Sequence, residues 1–225
     1  MKNSTMRVAT YNIWHGQIVL DDIEIIGREL LHLGADIVGL QEVDQNTSRV
    51  GGRDTLSLIA KAGEYPYYAF THAFDYEGGG AYGTAVLSRY PIRSFEVIPL
   101  SSPGVEPRSV GHAVIEVGDT CIDFFNTHLS VEDRSICRDQ ILALREMVLR
   151  CQNVIVTGDF NTEDAEDLAL LAPLPTVNPG NLFSYYSGKR AIDHIFYSDA
   201  FSCEEVEMPQ LPHSDHYPIV ARFSF

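Results

Sequence analysis

The segment Ala35-Asp-Ile-Val-Gly-Leu-Gln-Glu-Val-Asp44 starts as a short apolar strand and then admits polar residues where burial should forbid them. Asp36–Leu40 is apolar enough to be covered on both faces, yet the run continues into Gln41 and Glu42 before Val43. A carboxylate directly after Ile37–Gln41 and flanked by Val43 is poorly explained as a solvated strand end. Glu42 is therefore a candidate functional acid at the rim of a buried sheet.

The same ending recurs along the chain. Strand Arg7–Ile13 carries Asn12, strand Cys121–Thr127 carries Asn126 and leads to His128, and strand Val154–Thr157 leads to Asp159 and Asn161. Two late strands, Ile192–Tyr197 and Tyr217–Phe223, begin with their polar groups instead. These are Asp193 with His194, and Ser214 with Asp215 and His216. A strand that ends and a strand that begins share a rim when they run antiparallel, so all six clusters can meet on one edge.

The remaining elements fit an α/β layer architecture. Asp21–Leu33 places Ile23, Ile26, Leu30 and Leu33 on one helical face, with acids at its start and Gly34 at its stop. Asp54–Ala62 reads as a helix and Arg134–Arg150 as the longest one. The strands Tyr67–Thr71, Gly83–Ser88, Arg93–Leu100, Ser109–Val117 and Cys121–Thr127 fill the middle. The turn Val117-Gly-Asp-Thr-Cys121 forces its two strands antiparallel. Gly78–Gly80 and Pro173–Gly180 read as surface loops. Two mixed sheets with helices outside, forming one domain over residues 1–225, is the expected fold.

Composition narrows the partners. The chain of 225 residues carries 16 Lys and Arg against 31 Asp and Glu, a formal charge of −15. Such a polyanion repels long duplex DNA, because non-specific nucleic-acid binding is largely cation–phosphate attraction. The longest unbroken apolar run, Leu168–Leu174, is far below the ~18 residues of a membrane span. Met1–Thr10 has no apolar stretch before a cleavage site. A cytoplasmic monomer away from membranes is expected. Cys121, Cys137, Cys151 and Cys203 form no C-x-x-C pair and read as small buried apolar residues.

The residue types at the strand ends specify a chemistry. Oxygen donors such as Glu42, Asp159 and Asp215 suit Mg²⁺, Mn²⁺ or Ca²⁺ rather than zinc. An imidazole beside an acid is an orientable base. Asn amides donate to phosphoryl oxygens as charge builds on them. Together they describe in-line attack of water on a phosphoester.

Six segments also carry a resemblance. Arg7-Val-Ala-Thr-Tyr-Asn-Ile-Trp-His-Gly16, Ala35–Asp44, Asn126-Thr-His-Leu129, Thr157-Gly-Asp-Phe-Asn161, Ile192-Asp-His-Ile-Phe196 and Ser214-Asp-His216 resemble the endonuclease/exonuclease/phosphatase superfamily, in its order and rough spacing. Gly83-Thr-Ala-Val-Leu-Ser-Arg-Tyr-Pro91, Arg108 and Arg138-Asp-Gln140 look most like its compact bacterial metal-dependent hydrolases. The resemblance implies a four-layer α/β sandwich of the DNase I-like type with its site at one rim. It implies Mg²⁺ or Mn²⁺ on Glu42, helped by Asn12 and Asp215. It also implies that Asp159 and Asn161 position water and phosphoryl oxygens, that Asp193 orients His216, and that His128 contacts the scissile phosphate. Either Asp159 or His216 takes the proton of the water.

Arg108, Arg138 and His15 are candidate substrate contacts. Family nucleases that repair abasic DNA carry Asp where this chain has Trp14 and tend to have Tyr where it has His128, so that activity fits poorly. The substrate expected is a small phosphoester or a short oligonucleotide, with specificity set by loops such as Gln45–Arg53, Asp75–Tyr82 and Pro173–Arg190. The competing readings are a non-specific or repair-type DNA nuclease and an inactive relative that binds a phosphorylated ligand.

Overall fold

The computed structural model describes residues 4–225. Its first half runs β1 (Thr5–Asn12), α1 (Glu24–His32), β2 (Ile37–Gln45), α2 (Thr55–Ala62), β3 (Tyr67–Asp75), β4 (Ala81–Ser88), β5 (Ile92–Leu100) and β6 (Arg108–Val117). The second half runs β7 (Thr120–His128), α3 (Arg134–Val148), β8 (Val154–Asp159), α4 (Ala165–Leu168), β9 (Asp193–Tyr197), β10 (Ser202–Glu207) and β11 (Ile219–Ser224).

Six strands form one sheet in the order β10-β11-β1-β2-β4-β3, and five form the other in the order β5-β6-β7-β8-β9. Each sheet contains one parallel pair, β1 with β2 and β7 with β8. Parallel neighbours need a crossover, and helices α1 and α3 supply it. All other pairings are antiparallel.

Alternation of side chains distributes the apolar residues over three layers. Val8, Ile37, Phe124, Ile155, Ile195 and Phe223 fill the space between the sheets. Tyr11, Val38 and Leu40 point outward onto Ile26 and Leu30 of α1 and Leu56 and Ile59 of α2. Phe125, Val154 and Val156 meet Cys137, Ile141, Leu144 and Val148 of α3. Helix, sheet, sheet, helix is the four-layer sandwich that the sequence leads one to expect.

Local signals explain the ends of the helices. Asp133 caps α3 by accepting from the backbone N–H of Ser135 and Ile136, and Asp54 caps α2 through Ser57. Gly34, at φ 63°, turns the chain out of α1.

Two expectations need correction. Strand β10 was not anticipated, because Ser-Cys-Glu-Glu-Val-Glu lies at a sheet edge and is mostly exposed, with no buried face to impose alternation. Among the cysteines only Cys137 is fully buried. Cys151 and Cys203 are half-buried, and Cys121 is exposed, since it stands on the outer face of β7 beside the hairpin turn. Among the described residues no helix is long and apolar enough to cross a membrane.

Candidate active site

The site is a continuation of the inter-sheet core toward one end. Along β1 the inward positions pass from Val8 to Thr10 to Asn12, and along β2 from Ile37 to Gly39 to Gln41. On the opposite sheet they pass from Phe124 to Asn126 to His128, and from Ile155 to Thr157 to Asp159. Strand β9 enters from the other direction, so Asp193 lies opposite Asp159, which lies opposite His128. Three strands thus set an imidazole and two carboxylates in one row.

A buried polar layer separates this rim from the apolar core. Gln41 Nε2 donates to Asn126 Oδ1 at 2.7 Å, and Thr157 Oγ1 donates to the same oxygen at 3.0 Å. Asn126 Nδ2 crosses to the backbone oxygens of Leu40 and Ala85 at 2.9 and 3.0 Å. Gln41 and Asn126 therefore tie the sheets together behind the site.

Glu42 is aimed by a defect in the sheet. The register between β2 and β4 shifts between Leu40 and Val43, and Glu42 adopts a left-handed φ of 57°. A bulge turns a side chain that regular pleating would send elsewhere. His15 and Asn161 are also left-handed, at φ 42° and 53°, a conformation that costs energy outside glycine and clusters at functional sites.

One amide gathers the acids. Asn12 Nδ2 donates to Glu42 Oε1 at 3.1 Å and to Asp159 Oδ2 at 2.9 Å, while its Oδ1 accepts from the Trp14 N–H. Asn12 thus faces the carboxylates as a donor, and its oxygen points away from them. His15 Nδ1 stands 3.4 Å from Glu42 Oε2. The backbone N–H of Asn161 donates to Asp159 Oδ1 at 2.9 Å, and its side chain is anchored on the Leu129 oxygen.

On the far wall His216 Nδ1 is 2.7 Å from Asp193 Oδ2, and the same oxygen accepts from Ser184 Oγ at 2.6 Å. His216 Nε2 then faces Asp159 Oδ2 at 3.8 Å. His128 Nε2 approaches that oxygen at 3.7 Å, and Arg108 Nη1 lies 3.0 Å behind the ring at Nδ1. Ser214 Oγ bonds the Asn12 oxygen and accepts from the His216 N–H, which ties the last loop to β1.

Burial and charge set the protonation states. Burial opposes ionisation of Glu42, but the hydrogen bonds of His15 and the Asn12 amide outweigh it and hold the carboxyl at about 2. Burial and the Asp193 charge raise Asp159. Burial works against the His216 cation, yet the charge and hydrogen bond of Asp193, followed by Asp159 and Asp215, raise it. Burial and Arg108 keep His128 neutral. Asp215 is raised by burial.

These groups open into a cavity of about 470 Å³. His15, Glu42, Arg108, His128, Asp159, Asn161, Asp215 and His216 line it, and Asn12 and Asp193 stand directly behind. Arg138 is not brought there, because its guanidinium pairs with Asp167 at 2.5 Å under α3. His194 lies on the outer face of β9 against Phe160 and Phe196.

Arg49, Tyr76, Tyr82, Tyr185 and Arg190 line the cavity from the three loop segments expected to set specificity, and Ser184, the second partner of Asp193, lies in one of them, whereas Glu106 and Glu132 were missed. Both stand in loops and carry no periodic signal.

The donor set suits a hard divalent cation. Glu42 and Asp159 lie within bonding distance of a single amide nitrogen, and Asp215 faces the same space.

A four-layer sandwich with this rim defines a hydrolytic phosphoesterase of the DNase I-like class. The chain matches the Endonuclease/Exonuclease/phosphatase family over residues 9–216 and belongs to it. Members of this family are generally dependent on a divalent metal. No curated protein matches the chain.

Several solved structures share the fold. An endonuclease/exonuclease/phosphatase from Beutenbergia cavernae DSM 12333 has a TM-score of 0.83 at 21% identity, covering 97% of this chain and 71% of its own. A mannosyl-6-phosphatase from Bacteroides thetaiotaomicron VPI-5482 has a TM-score of 0.73 at 20% identity, covering 98% and 100%. TDP2 from D. rerio, complexed with a single strand DNA product, has a TM-score of 0.78 at 18% identity, covering 98% and 99%.

Proposed function

We propose that this phosphoesterase uses Mg²⁺ or Mn²⁺ to hydrolyse a small phosphoester or a short oligonucleotide rather than long duplex DNA. The observation that carries the reading is the cavity itself. It gathers Glu42, Asp159 and His216 within a few ångströms, and Glu106 and Glu132 add to the acids that line it. Arg49, Arg108 and Arg190 line it as well, but each is paired with an acid, which leaves little free positive charge for a polyanion.

Glu42 and Asp215 would hold the cation, with Asn12 fixing the direction of Glu42 and Asp159. Bound there, it supplies positive charge to the phosphoryl oxygens and withdraws electrons from phosphorus. The chain's own groups do the rest. Asn161 fixes Asp159 through its backbone N–H, and Asp193 with Ser184 fixes His216. Asp159 and His216 face each other across 3.8 Å, and the proton of the attacking water passes to this pair as its oxygen bonds to phosphorus. His128 donates to a phosphoryl oxygen as charge develops, and the ester oxygen leaves in line.

Hydrolysis of bis(p-nitrophenyl) phosphate and p-nitrophenyl phosphate in the presence of Mn²⁺ tests the proposal. Glu42→Gln and His216→Ala are each expected to lose about 100-fold or more, the scale on which single catalytic groups act, with an unchanged melting temperature. A chelator is expected to abolish turnover, and added Mg²⁺ or Mn²⁺ to restore it. Full activity in both variants refutes the assignment.

A further inference from the structure

We infer that Arg108 is a positioning residue: it fixes His128 as the tautomer with its proton on Nε2. The inference deepens the proposed function and rests on it for its catalytic consequence, but not for the tautomer.

The argument is one of donors and acceptors. Arg108 opens β6, beside the end of β7 that carries His128, and its side chain is only 4% exposed. A guanidinium nitrogen donates and never accepts. Arg108 Nη1 lies 3.0 Å from His128 Nδ1, so Nδ1 must present a lone pair. The same Nη1 forms an ion pair with the Glu106 carboxylate at 2.9 Å. An imidazolium at position 128 would set one N–H against another. The ring is therefore neutral, and its single proton sits on Nε2. Burial and the adjacent guanidinium charge act in the same direction.

The consequence lies on the other side of the ring. His128 Nε2 lines the cavity, and its nearest acceptor there, Asp159 Oδ2, is 3.7 Å away, beyond hydrogen-bond distance. The Nε2–H is unspent and aimed into the cavity. His128 can then donate to a phosphoryl oxygen but cannot act as a base. A donor held in place beforehand, near the atom where charge appears, is the arrangement that favours the transition state over the ground state. Arg108 provides it through the ring, while Glu106 balances the charge of Arg108.

Two measurements test this. Long-range proton–nitrogen NMR of the ¹⁵N-labelled protein, with His128 assigned by its loss in His128→Gln, should show Nε2 protonated and Nδ1 bare at neutral pH. A proton on Nδ1, or on both nitrogens, overturns the inference whether or not the protein hydrolyses anything. Kinetics on the most active p-nitrophenyl ester provide the second measurement. Arg108→Met should lower kcat on the order of 10–100-fold, as loss of an outer partner of an imidazole does elsewhere, with KM changed less than about twofold. Arg108→Lys, which keeps a donor for Nδ1, should recover part of kcat. A large rise in KM with kcat intact, or no recovery with Lys, returns Arg108 to substrate binding or to bare structure. Lack of turnover by the wild-type protein defeats the phosphoesterase reading and leaves the NMR result to decide the tautomer.

Discussion

Gly39 shows how closely this site depends on single atoms. A Cβ at this position in β2 would run into Thr157 Oγ1 and Asn126 Oδ1 from the facing sheet. Those two oxygens belong to the buried polar layer that joins the sheets behind Glu42 and Asp159. Glycine is thus required by close approach, not by backbone angle. Gly39→Ala should destabilise the fold by about 2 kcal/mol, in the range for overpacking, and lower the melting temperature by roughly 4–8 °C. A thermal melt without change would mean that the sheets can separate at this point freely. Legibility was uneven at this scale. Glu42, Asp159, Asp193 and His216 stood out because charge interrupts an apolar pattern. Arg108 and Arg138 did not separate, because an arginine facing a cavity and one pairing with Asp167 look alike in sequence.

Strand β9 carries chemistry on one face and packing on the other. Its inward Asp193 orients His216, while its outward His194 is buried against Phe160 and Phe196, with Nδ1 3.2 Å from Thr176 Oγ1. Burial lowers His194 to about 4, against about 6.5 for an exposed imidazole. Between those values the unfolded chain binds a proton that the folded chain refuses. Stability contributed by the neutral ring is therefore complete above pH 6.5 and is lost progressively as pH falls toward 4, by about 3 kcal/mol from this group. Urea unfolding of wild type and His194→Leu at pH 7 and pH 4.5 should show the larger acid loss in wild type. Equal losses would show that His194 is protonated at little cost. The strands of the core were readable because two-residue alternation reports burial directly. Strand β10 was not, since an exposed edge places no demand on its side chains.

For the whole molecule, the decisive quantity is charge, and its distribution agrees with its sum. The chain carries −15, and each arginine in the cavity already has an acid of its own. Arg49 pairs with Asp44 at 2.6 Å, Arg108 with Glu106 at 2.9 Å, and Arg190 with Glu163 at 3.6 Å. The net charge was legible from composition. The pairing was not, because it depends on which loops close over the rim. A paired arginine has few counterions of the phosphate backbone to displace, so duplex DNA should gain little from this surface. Fluorescence anisotropy with a labelled duplex of about 30 base pairs should give a Kd weaker than about 10⁻⁴ M near physiological salt, the weak limit of non-specific binding. The slope of log affinity against log salt should be shallower than about −3, the value for three free cations. Micromolar binding with a steeper slope would place a basic track outside the cavity and make long nucleic acid the better substrate.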